Sequence, residues 1–248
     1  MLERISIDLT NYCSKECDFC YNKSSKNGIT EWKPEEVTSF LKDCAKHGVK
    51  AISIGGGEPF EYKGIYKLIS KLMPHVFVSV TTNGMPLTIY DNFVKLTKNK
   101  PDKIHITIHD PANETEVNRT IEMLFFFGNI GIKTGANVLV SADKIAETKK
   151  LTELLFKYKY LPEQIIYVPR KFTKIPTPQQ VAEAALNKTF QSASCLLDCK
   201  INERFCSISW DKQVGWCSYG EGKTKLGDLT YQGLMQSLGK IKFKTCKK

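Results

Sequence analysis

Apolar and polar positions alternate in short runs at residues 4–10, 50–55, 76–82, 103–109, 132–140 and 164–169. Ile5, Ile7 and Leu9 alternate with Ser6, Asp8 and Thr10. Val76, Val78 and Val80 alternate with Ser79, Thr81 and Asn83, and Ile104, Ile106 and Ile108 with His105, Thr107 and His109. A period of two predicts strands. Helical spacing fills the gaps, with starts near Pro34, Tyr62, Leu87, Asn113 and Ala142, so the order β-α recurs and predicts right-handed βαβ units on a parallel sheet. Parallel strands covered on both faces read as unbroken apolar runs. These strands instead carry a polar face, as in a closed or partly closed barrel whose helices cover the outside and whose inside stays polar. The fold class expected is α/β. Helix starts also suit Pro34 and Pro178, since proline fits a first helical turn.

The pattern stops near residue 190. Beyond it Cys195, Cys199, Cys206, Cys217 and Cys246 appear. Residues 207–219 read as two short strands about Asp211-Lys212-Gln213, a hairpin with no glycine at its centre, and a short helix to Leu238 follows. Residues 1–190 are therefore expected as one domain and 191–248 as a small, cysteine-rich α+β extension.

Composition narrows the class. At 248 residues the chain is long enough for one α/β barrel domain. No run of 18 apolar residues predicts a membrane span. The strand beginning at Arg4 leaves no room for a signal peptide. Nine cysteines without a secretory signal point to metal binding in a reducing cytoplasm rather than to disulfides. The net charge is +10, but the lysines are spread along the chain, which describes a solvated surface better than a nucleic-acid footprint. A basic surface also suits an acidic electron donor such as a flavodoxin.

The candidate chemistry lies after the first two strands. Cys13, Cys17 and Cys20 form a C-x3-C-x2-C loop, and Gly55-Gly56-Gly57-Glu58-Pro59 ends the second strand. Three thiolates can hold an iron–sulfur cubane and leave one iron open to another ligand, since clusters normally take four. A zinc knuckle uses similar spacings but requires a closed set of four donors, and no second pair lies nearby. A glycine turn lets backbone approach a small polar ligand. Cys44 falls on the apolar face formed by Val37, Phe40 and Leu41 and reads as core.

On these motifs the chain resembles the radical S-adenosylmethionine (SAM) enzymes. The resemblance rests on C-x3-C-x-aromatic-C with Phe19 in the aromatic place, GGEP at Gly56 to Pro59, TTNG at Thr81 to Gly84, ITIHD at Ile106 to Asp110, and GANVLV at Gly135 to Val140. It implies a partial (β/α)6 barrel over roughly residues 1–170. It also implies a [4Fe-4S] cluster on Cys13, Cys17 and Cys20, and SAM held by Gly55, Gly56, Gly57 and Glu58. Phe19, Thr81, Asn83, Thr107 and Asn137 are further cofactor-binding candidates, although Thr81 and Asn83 also suit a plain turn. His109 and Arg119 each have a structural reading beside a functional one. Cys206, Cys217 and Gly227-Asp228-Leu229 resemble the SPASM or twitch extensions that hold an auxiliary cluster. A second [4Fe-4S] cluster on Cys199, Cys206, Cys217 and Cys246 is implied, with Cys195 as the exchange; structural zinc or free thiols are the alternatives.

The implied activity is reductive cleavage of SAM to a 5′-deoxyadenosyl radical that abstracts a substrate hydrogen. The leading substrate is a ribosomally made peptide, presented by a separate leader-binding protein because no such domain precedes the first strand. A small molecule such as a sugar or aminocyclitol is the alternative, and a non-catalytic iron–sulfur sensor is the reading from another class.

Overall fold

The computed structural model describes residues 1–193, 196–242 and 244. In chain order the elements are β1 (Arg4–Asp8), α1 (Pro34–Lys46), β2 (Ala51–Gly55), α2 (Ile65–Leu72), β3 (Phe77–Thr82), α3 (Tyr90–Lys98), β4 (Lys103–Ile108), α4 (Glu114–Asn129), β5 (Lys133–Val140), α5 (Ile145–Lys157), β6 (Ile165–Pro169), α6 (Pro178–Ala184), β7 (Gln191–Ser192), β8 (Phe205–Ile208), β9 (Gln213–Gly215), β10 (Thr224–Lys225) and α7 (Tyr231–Gly239). The six expected strands and five expected helices are present. Three helices, α2, α3 and α5, begin later than the apolar spacing suggests, and single 3-10 turns at Pro59–Glu61 and Met85–Thr88 precede the first two. Each turn has proline in its first positions, where the missing N–H costs nothing.

The chain divides into two compact units. The first comprises Met1–Lys103 and the described residues from Ile201 onward; the second runs from Ile104 to Lys200. The expected extension is thus divided between them, Gln191 to Lys200 in the second unit and the described residues from Ile201 in the first. β8 pairs in parallel with β1, from Arg4 opposite Phe205 to Ile7 opposite Ile208, which makes the start of the extension part of the first unit's sheet. Trp32 Nε1 adds a bond to the Ser209 carbonyl at 3.1 Å. The glycine missing from the β8–β9 hairpin is replaced by Lys212, which adopts the left-handed conformation (φ 57°). Its ammonium sits over the Trp32 ring at 5.1 Å and 3.2 Å from Glu36, so contacts offset part of the backbone cost.

Strand order in the first unit is β10-β9-β8-β1-β2-β3. β8, β1, β2 and β3 are parallel, and β9 and β10 continue antiparallel. One face carries Ile5, Ile7, Ile52, Ile54, Val78 and Val80, all essentially inaccessible to water. α1 adds Val37, Phe40, Leu41 and Cys44 to this core, so the core reading of Cys44 holds. The opposite face carries Ser6, Asp8, Ser53, Ser79 and Thr81, with Ser53 and Ser79 hydroxyls 2.9 Å apart. In the second unit the order is β4-β5-β6-β7, with β5, β6 and β7 parallel. Among the described residues no helix is long and apolar enough to cross a membrane.

Candidate functional site

The three-cysteine loop is built by the backbone that precedes and follows it. Asn11 N donates to Ile29 O, Cys13 N to Ser25 O and Ser25 N to Asn11 O, each at 3.0–3.1 Å. The Asn11 side chain accepts from Ile29 N at 2.6 Å, and Thr10 Oγ1 accepts from Tyr12 N at 2.9 Å. Glu16 closes the loop by accepting from Lys26 N at 3.0 Å, and Cys20 N bonds Cys17 O at 3.1 Å. Cys13 is buried, while Cys17 and Cys20 are half-buried. Burial, then the charges of Glu58 and Glu61, raises the Cys13 thiol above its usual range, backbone N–H groups opposing. A cationic centre that takes the thiolate reverses that balance.

The glycine turn packs onto this loop. Gly57 N donates to Thr10 O at 2.6 Å and Glu58 N to Tyr12 O at 2.9 Å. A methyl group on Gly57 would overlap the Tyr12 carbonyl, and one on Gly28 would overlap the Asn11–Tyr12 peptide. Each of the two successive peptides that lead into the first cysteine, Asn11–Tyr12 and Tyr12–Cys13, thus has a glycine against it. Gly56 supplies the reversal at φ 118°. Gly55 differs: the nearest atom to a methyl there is Asp8 Oδ1 at 3.6 Å, ordinary contact distance. Sequence reading did not single out Gly28, although Asn27-Gly28 is a turn dipeptide that signals its position.

Glu58, expected to face SAM, is fully buried and bonded within the protein. Its oxygens accept from Phe60 N (3.0 Å), Thr82 Oγ1 (2.8 Å) and Asn83 N (2.8 Å). Burial pushes its carboxyl up to about 7 despite these donors. Glu58 therefore joins the glycine turn to the end of β3. Glu61 joins it to the cysteine loop by accepting from Ser14 N at 3.0 Å. No sequence signal marks Glu61.

Of the other candidates in the first unit, Thr81 is exposed on the polar face and Phe19 is half-buried. Asn83 is buried, with Oδ1 accepting from Met85 N at 2.8 Å and Nδ2 3.7 Å from Cys13 Sγ. Each end of that amide thus makes one bond within the protein. Beside the turn lies Asp8, 9% exposed, with no hydrogen-bond partner for its carboxylate among the described residues. Burial pushes its carboxyl up to about 6, Lys223 opposing and Asp211 adding to the shift.

In the second unit, Thr107 is half-buried on β4. Asn137 Oδ1 lies 3.0 Å from His105 Nδ1, and Gly135 leaves room for that ring. His109 bonds Glu116 Oε1 through its backbone N (2.9 Å) and Nδ1 (3.1 Å), which is the structural role. Arg119 is half-buried with Nε unpartnered.

Of the late cysteines, Cys199, Cys206 and Cys217 lie among the described residues. Cys206 lies between Phe205 and Ser207 on β8, opposite Ile5 and fully buried on the core face. Burial, then Cys44, raises its thiol strongly. Ser207 and its partner Gly215 mark the other face, and Cys217 follows two residues later, half-buried and accepting from Tyr219 N at 3.4 Å. Strand alternation thus puts Cys206 among apolar side chains, which argues against its sharing a cluster with Cys217. Cys206→Ala should lower stability by about 1 kcal/mol, as for a small core truncation, and leave the iron content of reconstituted protein unchanged. Cys199 belongs to the second unit; Cys195 and Cys246 lie outside the described residues.

Among the described residues no three His, Cys, Asp or Glu side chains gather around one metal ion. A cubane does not require that, because each thiolate binds a different iron. The first loop fits such a group: three soft thiols on one loop, a side-chain N–H at one sulfur, and a glycine turn alongside.

A family model described as "Radical SAM superfamily" matches residues 7–124. A probable GTP 3′,8-cyclase of Pyrococcus horikoshii is 30% identical over 156 residues, 62% of this chain and 44% of that protein. One from Methanocella arvoryzae is 36% identical over 83 residues, 34% of this chain and 27% of that protein. The chain spans less than half the length of these curated relatives. Among solved structures, Streptococcus suis SuiB bound to S-adenosylmethionine aligns with a TM-score of 0.69 at 16% identity, covering 88% of this chain and 61% of SuiB. The structure of anSMEcpe with bound AdoMet and the Cp18Cys peptide aligns with a TM-score of 0.68 at 15% identity, covering 97% and 81%. At these identities the likeness is one of fold.

Proposed function

We propose that the protein, whose residues 7–124 match a radical SAM family model, binds a [4Fe-4S] cluster and SAM and abstracts hydrogen from a peptide. The observation that carries the reading is the joint between the cysteine loop and the glycine turn, made by Gly57 N to Thr10 O and Glu58 N to Tyr12 O. When bound, the cluster and SAM supply an electron and a sulfonium whose cleavage yields the 5′-deoxyadenosyl radical. Cys13, Cys17 and Cys20 hold the cluster. Gly55 to Gly57 present backbone to the amino-acid end of SAM, and Glu58 fixes that backbone instead of touching the ligand. Phe19, Thr81, Thr107 and Asn137 remain the candidate contacts to the rest of SAM.

A peptide substrate is supported by two proteins of the same fold: SuiB has been crystallised with its precursor peptide, and anSMEcpe with a peptide. The second reading is a small-molecule substrate, favoured by the relatives named probable GTP 3′,8-cyclase. For an auxiliary [4Fe-4S] cluster the donor set becomes Cys199, Cys217 and Cys246, with Cys195 in the place expected for Cys206. An acidic electron donor such as a flavodoxin and a separate leader-binding protein complete the proposed partners, in a cytoplasmic setting.

The test is anaerobic reconstitution, an iron count, and 5′-deoxyadenosine assay with dithionite and SAM. Wild type should form 5′-deoxyadenosine, and the Cys13, Cys17 and Cys20 to Ala triple variant should form none. About eight irons per chain support the auxiliary cluster; about four remove it and keep the enzyme. Cluster retention without SAM cleavage defeats the reading in favour of a sensor.

A further inference from the structure

We propose that Asn83 is a redox-tuning residue whose side-chain N–H donates to the Cys13 sulfur and raises the reduction potential of the cluster held there. The inference rests on the proposed function only in requiring that Cys13 ligate the cluster.

The geometry begins with the orientation of the amide. Oxygen and nitrogen of an asparagine are assigned from the hydrogen-bond network. Here the Met85 backbone N–H, 2.8 Å away, can only be met by Oδ1, which leaves Nδ2 facing Cys13 Sγ at 3.7 Å. The residue cannot swing away easily. Its own backbone N donates to Glu58 Oε2 at 2.8 Å, and Glu58 is held by Thr82 Oγ1 and Phe60 N. Asn83 is 5% and Cys13 8% exposed, so water does not compete well for the sulfur.

The electrostatics give the donor a task. Glu58 and Glu61 are the charges that bear on Cys13, and both disfavour additional negative charge there. Reduction adds one electron to a centre already made anionic by its thiolates. A donor to a ligating sulfur stabilises the more negative state and moves the potential upward, as hydrogen bonds to cluster sulfurs do. Asn83 is a positioning and tuning residue: it touches the ligand sulfur, not the substrate.

The test is an EPR-monitored redox titration of the reconstituted full chain. Two variants separate the causes. Asn83→Leu keeps the approximate shape and removes the donor without adding charge; Asn83→Asp keeps an oxygen for Met85 N and removes the donor. Both should bind the same iron as wild type and reduce at a more negative potential. An unmoved potential in Asn83→Leu with full iron content overturns the proposal, even if Asn83→Asp shifts, because charge alone would then explain the shift. Should Asn83→Leu fail to hold iron, Asn83→Ala takes its place as the uncharged variant without the donor: an unmoved potential there overturns the proposal, and a negative shift supports it. Wild type that binds no cluster at all defeats the proposed function instead, so the two failures are told apart.

Discussion

Replacing Gly57 with alanine should abolish iron loading and SAM cleavage and destabilise the fold by about 3 kcal/mol, the upper end for forced overpacking. The added methyl meets backbone, the Tyr12 carbonyl and the Asn11 carbon, which cannot rotate away as a side-chain end would. Relief requires separating the glycine turn from the cysteine loop. That breaks Gly57 N to Thr10 O and Glu58 N to Tyr12 O and moves Cys13 away from Asn83. Gly28→Ala should act similarly at the preceding peptide, Asn11–Tyr12, where its methyl also meets backbone. Gly55→Ala is the contrast, since its methyl meets only Asp8 Oδ1 at contact distance. Denaturant midpoints at unchanged slope, with iron counts, check all three. Gly57→Ala with wild-type iron and stability would mean that the two segments do not pack this closely.

Asp8→Asn should stabilise the cluster-free protein at pH 8 and have much less effect at pH 4.5. The folded-state carboxyl is pushed from 3.8 to about 6, chiefly by burial. Between those values the folded protein holds a proton that the unfolded chain has released, so stability falls as pH rises through this window. The full cost is present above about pH 6 and absent below about pH 4. At about 1.4 kcal/mol per pK unit the cost approaches about 3 kcal/mol, an upper bound because Asn is also buried without a partner. Lys223 relieves part of the burial cost and Asp211 adds to it. Thermal midpoints measured across pH 4.5–8 decide the matter; a gain that is the same at both ends refutes the buried, ionised carboxylate.

The alternation of Ile5, Ile7, Ile52, Ile54, Val78 and Val80 with small polar residues was readable because it is local and has a period of two. The cysteine loop was readable for the same reason: its spacing is short enough to be one element. The start of α3 was misplaced because Leu87 lies in the 3-10 turn Met85–Thr88, which satisfies the same apolar spacing. The motif position of Glu58 does not reveal its partners, Thr82 and Asn83, which lie 24 and 25 residues away in sequence.

The sequence by itself determined the βα order, the polar and apolar faces, the three-thiol loop and the glycine turn, all properties of neighbouring residues. Only the tertiary structure decided that β8 joins β1, which puts Cys206 in the core and moves the unit boundary. It also decided that Gly28 and Gly57 pack against the two peptides before Cys13, that Glu58 turns inward, and that Asn83 faces a sulfur. The physical reason is common to these cases. Which partner a group meets depends on strand register and on close approach between segments far apart in the chain, and neither leaves a periodic mark on the sequence.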